Sequence, residues 1–175
     1  MKKTKVLVFI SLLVAMDIIL TRFLAFQIDT LRVSFGFVPV SFSSILFGPL
    51  IGGLGAVLGD ILGMIIAPKG AYFPGFTVSA FLTAVAYGVF LFRKPKTLLR
   101  VTLAVLFITV FIDIGLNTYW LTILLGKGYM AMLPARVIKS AMMVPVQVST
   151  IYFLWRYAGK YIENILTGRV GRIVQ

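Results

Sequence analysis

The side chains of this chain that could do chemistry are few, and most of them are charged. Five acids, Asp17, Asp29, Asp60, Asp113 and Glu163, stand against 17 Lys and Arg residues, and there is no Cys and no His. Disulfides, Cys/His metal sites, thiol nucleophiles and the usual general base are therefore excluded. The sequence also has no G-x-x-x-x-G-K-[ST] loop and no G-x-S-x-G elbow. It predicts no enzyme and no cofactor.

Three of the acids lie near the middle of long apolar runs, namely Asp17, Asp60 and Asp113. A carboxylate at such a depth in a membrane is costly, so each requires a partner, a proton or a ligand. Helix-to-helix pairing is the preferred role for Asp17 and Asp60, with an ion relay or ligand recognition as the alternative. Asp113 differs, because Asn117 follows one turn later and Trp120 adds an aromatic face.

Two basic residues, Arg136 and Lys139, lie about one turn apart early in the last apolar run. Buried cations of this kind usually face a cavity or a partner. The alternative is that both side chains extend to the membrane interface.

The elements that position these residues are membrane-spanning helices. The chain is 60% hydrophobic and 13% charged, with a mean hydropathy of +1.04, whereas soluble domains carry about 25% charged residues. We expect an all-α integral membrane protein of one domain, residues 1–175, with the lipid bilayer as its surroundings. Six spans are predicted, at about 6–26, 35–50, 51–67, 76–92, 99–125 and 130–157. The first is read as a retained helix, since a signal-peptide core is usually about 7–15 residues long.

The formal net charge of +12 is read as a topology signal rather than as a nucleic-acid surface. Eleven basic residues fall at the N-terminus, in the 93–100 loop and in the C-terminal tail, whereas the other loops carry four, Arg22, Arg32, Lys69 and Lys127. This bias predicts that both termini are cytoplasmic. The four outer cations with Arg136 and Lys139, against Asp29, leave +5 on the outer side, which indicates that an anion is collected there.

Two further segments predict local features. The outer loop 67–77 combines two prolines, two glycines and three aromatic residues, which is typical either of a lid over a cavity or of a tight turn with interfacial aromatics. Gly55, Gly59 and Gly63 are spaced by four along the third span, and small residues at this spacing let two helices approach closely.

Several segments resemble a known family. They are Ser34-Phe35-Gly36-Phe37-Val38-Pro39, Phe47-Gly48-Pro49, Tyr72-Phe73-Pro74-Gly75-Phe76-Thr77 and Asp113-x-x-x-Asn117-Thr118-Tyr119-Trp120-Leu121. With six short helices they resemble the folate-specific S components of energy-coupling factor (ECF) transporters, over about residues 5 to 160.

The resemblance implies a multi-pass protein of the bacterial plasma membrane that binds one vitamin in an outward-opening pocket. Its implied partners are folate, a transmembrane T component and two ATPases, and the lack of a P-loop agrees with ATP hydrolysis by other subunits. The family contacts the T component through Ala-x-x-x-Ala in the first helix. Here Ser11-Leu12-Leu13-Val14-Ala15 stands at that place, so Ser11 and Ala15 are the expected contacts.

Folate has a flat pterin ring and a tail with two carboxylates. For a folate ligand we expect charge-assisted hydrogen bonds to the tail from Arg22, Arg32, Arg136 and Lys139. Stacking is expected from Tyr72, Phe73, Phe76 and Trp120, and pairing with the pterin edge from Asn117. Phe35 and Thr77 belong to the segments that carry the resemblance and complete the expected ligand-binding set.

Three alternatives stay open at this point. The first is an S component for another vitamin such as riboflavin, although a neutral vitamin gives no reason for the positive outer side. The second is a proton-coupled secondary transporter that uses Asp60 or Asp113. The third is a membrane-embedded enzyme acting on lipid or isoprenoid phosphates, for which three Asp on three different helices are weak support.

Overall fold

The computed structural model describes residues 3–28, 31–68, 70–126, 128–159 and 161–162. Eight charged residues lie outside these ranges, namely Lys2, Asp29, Lys69, Lys127, Lys160, Glu163, Arg169 and Arg172, and all of them except Glu163 were used in the charge prediction. Of Arg32 only the backbone is described.

The described residues form a bundle of apolar helices. In chain order they are α1 (Lys3–Ile18), which continues as a π-helical turn at Ile19–Phe23, then α2 (Phe37–Phe47), α3 (Pro49–Ile66), α4 (Pro74–Leu91), α5 (Leu98–Phe107), α6 (Asn117–Leu125) and α7 (Tyr129–Leu154). A π-helical segment, Ile108–Leu116, joins α5 to α6, and another, Trp155–Gly159, follows α7. Pro49 and Pro74 open α3 and α4, where the missing N–H costs no helical hydrogen bond.

Five of these helical stretches are long and apolar enough to cross a membrane: Thr4–Phe23, Pro49–Ile66, Pro74–Leu91, Leu98–Leu125 and Tyr129–Gly159. They confirm the helical membrane fold and match five predicted spans closely. The remaining predicted span, the second at 35–50, is instead the 11-residue α2. This helix is about 16 Å long, against a hydrocarbon core of about 30 Å. It lies within the protein, and its Ser41, Ser43 and Ser44 hydroxyls donate to carbonyls of the same helix.

A small antiparallel hairpin between α1 and α2 was not predicted. Strand β1 (Phe26–Ile28) pairs with β2 (Leu31–Val33), and Gln27 lies opposite Arg32. Strands of three residues give too short an alternation to be recognised next to an apolar helix. The predicted first span therefore ran on to residue 26, whereas the helical stretch ends at Phe23.

The buried core fills the half of the bundle nearest the 92–97 loop. It joins α2, the end of α4, α5 and the end of α7 through residues such as Tyr87, Leu91, Val101 and Ile151, which are almost fully buried. Trp155 closes this half by packing on Phe42 with ring centroids 5.8 Å apart. The opposite half of the bundle contains a cavity.

The predicted glycine stripe of α3 faces α1. A Cβ atom at Gly59 would lie 2.7 Å from Asp17 Oδ2, and one at Gly63 would lie 2.7 Å from Arg22 Nε. At Gly55 the nearest atoms would be 3.7 Å away, on Ile10. The absence of side chains at Gly59 and Gly63 therefore lets charged groups of α1 and of the π-helical turn after it reach the surface of α3.

Candidate ligand-binding site

A cavity of about 610 Å³ lies between α1, α3, α4, the α5–α6 stretch and α7. This volume is within the range of small-molecule sites. Its rim includes Gly70 and Leu125, and its floor includes Tyr87 and Ile108. The polar lining consists of Asp17, Thr21, Arg22, Ser34, Asp60, Ser79, Thr83, Tyr87, Asp113, Asn117, Arg136, Lys139 and Gln147.

One wall is held by a chain of polar contacts that begins at Arg22. Arg22 is only 5% exposed, and its Nη2 lies 3.2 Å from Asp60 Oδ1 while its Nη1 donates to Met64 Sδ. Thr77 Oγ1 donates to Asp60 Oδ2 at 2.7 Å. Because the Thr77 proton is used there, Tyr72 donates to Thr77 across 3.1 Å. Both oxygens of Asp60 are thus satisfied by the protein, and the chain ties α1 and α3 to the start of α4.

The opposite wall is organised by the π-helical segment 108–116. Asp113 lines the cavity, and its Oδ1 accepts from Asn117 Nδ2 at 3.1 Å. The Asp113 carbonyl accepts from Arg136 Nη2 at 3.2 Å, and the Ile114 carbonyl accepts from the Tyr129 hydroxyl. Altered hydrogen bonding of π segments often marks functional sites. Here the segment supplies acceptors to side chains of α7.

Charged groups of α7 face this wall. Lys139 and Arg136 both line the cavity and both interact electrostatically with Asp113. The wall therefore presents two cations beside one carboxylate. It is a mixed surface with donors and acceptors side by side, rather than a purely positive one.

Two amide oxygens of the lining add to the acceptors. Asn117 Oδ1 and Gln147 Oε1 are buried and have no hydrogen-bond partner among the described residues. A buried amide group without a partner costs about 1–3 kcal/mol. The sequence drew attention to Asn117 but not to Gln147, because a single amide in an apolar helix gives no pattern.

The aromatic residues of the loop before α4 pack mainly on one another. Phe73 contacts Phe76 and Trp120, with ring centroids 6.1 Å and 5.6 Å away. Trp120 Nε1 donates to Ser79 Oγ at 3.2 Å. Of these rings only Phe76 lines the cavity, so the others form a layer behind it.

The structure brings together some of the predicted ligand-binding residues and not others. Those on the cavity lining are Arg22, Phe76, Asn117, Arg136 and Lys139. The remainder with described side chains are not part of the lining: Phe35, Tyr72, Phe73, Thr77 and Trp120. Ser11 and Ala15 lie on the exposed face of α1. Residues outside the predicted ligand-binding set that line the cavity include Asp17, Asp60, Tyr87, Asp113 and Gln147, of which the sequence analysis had singled out the three acids.

Asp17 and Asp60 were expected to pair with other helices, and the Arg22–Asp60 ion pair supports this for Asp60. The contact joins residues 38 positions apart, and sequence periodicity carries no information about such a distant partner. The sequence analysis instead predicted that Arg22 binds the tail of the ligand.

Comparison with known proteins gives a consistent result. The family model for the substrate-specific component of ECF transporters matches residues 5–165. A protein of Clostridium novyi (strain NT) named folate transporter FolT is 46% identical over 156 residues, which are 89% of this chain and 91% of that protein. A folate transporter FolT of Leuconostoc mesenteroides is 36% identical over 86% of this chain and 84% of its own length.

A solved structure shares the fold as well. The crystal structure of FolT bound with folic acid superposes with a TM-score of 0.83 at 38% identity, and the match covers 86% of this chain and 92% of that one.

Proposed function

The chain belongs to the substrate-specific components of ECF transporters, and on this premise we propose that it captures folate in the cavity described above. It is a multi-pass protein of the bacterial plasma membrane and belongs to a family of transporter components, not of enzymes. Delivery of folate through a transmembrane T component and two ATPases is the second part of the proposal, since this chain has no P-loop of its own.

One observation carries the assignment. A cavity of about 610 Å³ with two cations, a carboxylate and amide groups on one wall lies in a fold that superposes with a folic acid-bound FolT. Folate needs both charged and hydrogen-bonding partners, and apolar lining residues such as Phe76 and Leu121 provide surface for a flat ring.

The predicted site residues take different places in this proposal. Phe76, Asn117, Arg136 and Lys139 would contact the ligand directly from the lining. Arg22, Thr77 and Tyr72 would hold the α1–α3–α4 wall through Asp60, and Phe73 and Trp120 would support Phe76 from behind. Arg32 lies in strand β2, and Phe35 follows that strand between the lining residues Ser34 and Gly36.

We also propose an orientation and a docking face. Both termini lie in the cytoplasm, as the distribution of basic residues predicts, so that the cavity opens outward. Ser11 and Ala15 lie on an exposed face of α1 beside the exposed Leu12. Small side chains there would let a helix of the T component approach closely.

The proposal is tested by purifying the chain alone in detergent and identifying co-purifying small molecules by mass spectrometry. Folate in one-to-one amount with the protein is the expected result, whereas a flavin would favour the riboflavin alternative. Uptake of labelled folate in cells is then compared with and without the ATPase module. Uptake that persists without any ATPase would contradict the ECF mechanism and favour a proton-coupled carrier.

A further inference from the structure

The carboxylate of Asp113 makes fewer hydrogen bonds within the described part of the protein than that of Asp60. Asp60 receives Arg22 and Thr77 on its two oxygens. Among the described residues, the Asp113 carboxylate accepts a hydrogen bond only from Asn117, while Arg136 donates to its backbone carbonyl rather than to its side chain. Asp113 nevertheless lines the cavity. Its carboxylate therefore keeps acceptor capacity for a ligand in the cavity.

Other acceptors lie in the same lining. The oxygens of Asn117 and Gln147 are buried and lack partners in the described part of the chain. Together with the Asp113 carboxylate, these oxygens form a set of hydrogen-bond acceptors. Such a set favours a ligand that carries N–H donors. The dianionic tail of folate offers no strong donors at its carboxylates and would be repelled by Asp113.

The pteridine ring of folate carries such N–H donors. A 2-amino-4-oxo pteridine presents an exocyclic amino group and an adjacent ring N–H, which a carboxylate can accept as a pair of charge-assisted hydrogen bonds. Its 4-oxo group can accept from a cation. Arg136 donates to the Asp113 carbonyl at 3.2 Å, and Lys139 lines the same cavity and interacts electrostatically with Asp113. This wall thus holds both an acceptor and cationic donors, which are the kinds of group that this edge of the ring requires.

We propose that Asp113 selects the ring of the ligand by accepting hydrogen bonds from its 2-amino group and the adjacent ring N–H. This proposal rests on the proposed function. Arg136 and Lys139 then contact the ring oxygen rather than the tail. Rings with an oxo group at the 2-position, including the flavin ring, are disfavoured because their oxygen would face the carboxylate.

The test compares folic acid with its 2-oxo analogue, in which oxygen replaces the amino group. Titration calorimetry on the purified full chain in detergent should show that folic acid binds more tightly by about ten- to a hundredfold. In Asp113→Asn this preference should fall to within about threefold. Asp60→Asn is the matched control, because it should lower the affinity for both ligands together and keep their ratio.

The outcomes separate the two levels of the proposal. Wild-type protein that binds neither compound overturns the proposed function. Wild-type protein that binds both equally overturns only the role of Asp113, and this comparison needs no variant to fold. A folded Asp113→Asn protein that keeps the wild-type preference also overturns the role, since a residue that merely stabilises the wall would not change the ratio.

Discussion

The guanidinium of Arg22 and the carboxylate of Asp60 form an ion pair at 3.2 Å that joins the end of α1 to α3. The pair borders the cavity, and Thr77 completes it by donating to the second carboxylate oxygen. Arg22 is therefore engaged within the protein. It shapes one wall of the cavity.

Breaking this pair should destabilise the protein. Arg22→Gln or Asp60→Asn leaves a buried charge without its counter-charge, at an expected cost of about 3–5 kcal/mol. The double variant removes both charges, so it should lose less than the sum of the two single variants. Thermal unfolding in detergent measures this, and strictly additive losses would show that the two side chains do not act as a pair.

Alanine substitutions at the three glycines of α3 test how closely this helix packs against α1. Gly59→Ala and Gly63→Ala should lower the melting temperature, because the new Cβ atom would lie 2.7 Å from Asp17 Oδ2 or Arg22 Nε. Gly55→Ala meets nothing closer than 3.7 Å. It should be neutral or stabilising by up to about 1 kcal/mol, since alanine favours the helix. Equal losses at all three positions would contradict the described α1–α3 packing.

The part of folate that Arg136 contacts can be found by shortening the ligand. Arg136→Ala should weaken binding of folic acid and of pteroic acid, which lacks the glutamate tail, by a similar factor of about ten to a hundred. Arg32→Ala should weaken only folic acid if this residue holds the tail, as the sequence predicts. Arg93→Ala is the control, because Arg93 is exposed in the 92–97 loop at the other end of the bundle. An Arg136 effect confined to folic acid would assign this residue to the tail.

The exposed face of α1 should matter for uptake and not for binding. Ala15→Leu places a bulky group where close helix contact with the T component is proposed, and we expect at least a tenfold loss of folate uptake in cells with the complete transporter. Binding to the purified chain should be unchanged, because Ala15 lies outside the cavity lining. Ala141→Leu, also exposed but on α7, is the control. Equal uptake by both variants would exclude this docking face.

The membrane helices could be predicted because their signal is local. Runs of apolar residues and Pro/Gly punctuation placed five of the six spans within a few residues of the helical stretches observed. The hairpin at 26–33 and the short α2 were missed, since a three-residue strand has too little periodicity and α2 is buried by protein instead of lipid.

The site was harder to predict because its contacts are long-range. Arg22 and Thr77 lie 38 and 17 positions from Asp60, so the contacts by which both hold the wall left no local sign in the sequence, and both were assigned to the ligand. Trp120 and Phe73 were predicted to stack on the ligand because they are aromatic, but in the structure their rings pack on each other. Gln147 carries no local signal at all, and only the arrangement of the helices places it in the cavity.

The central claim, that folate occupies this cavity, is tested most directly by filling it. Ala80 lines the cavity, whereas Val78, on the same helix, is 50% exposed on the outside. By titration calorimetry on the purified chain we predict one folate per wild-type or Val78→Trp molecule and at least a hundredfold weaker binding to Ala80→Trp. Unchanged folate binding by a folded Ala80→Trp protein would contradict the account.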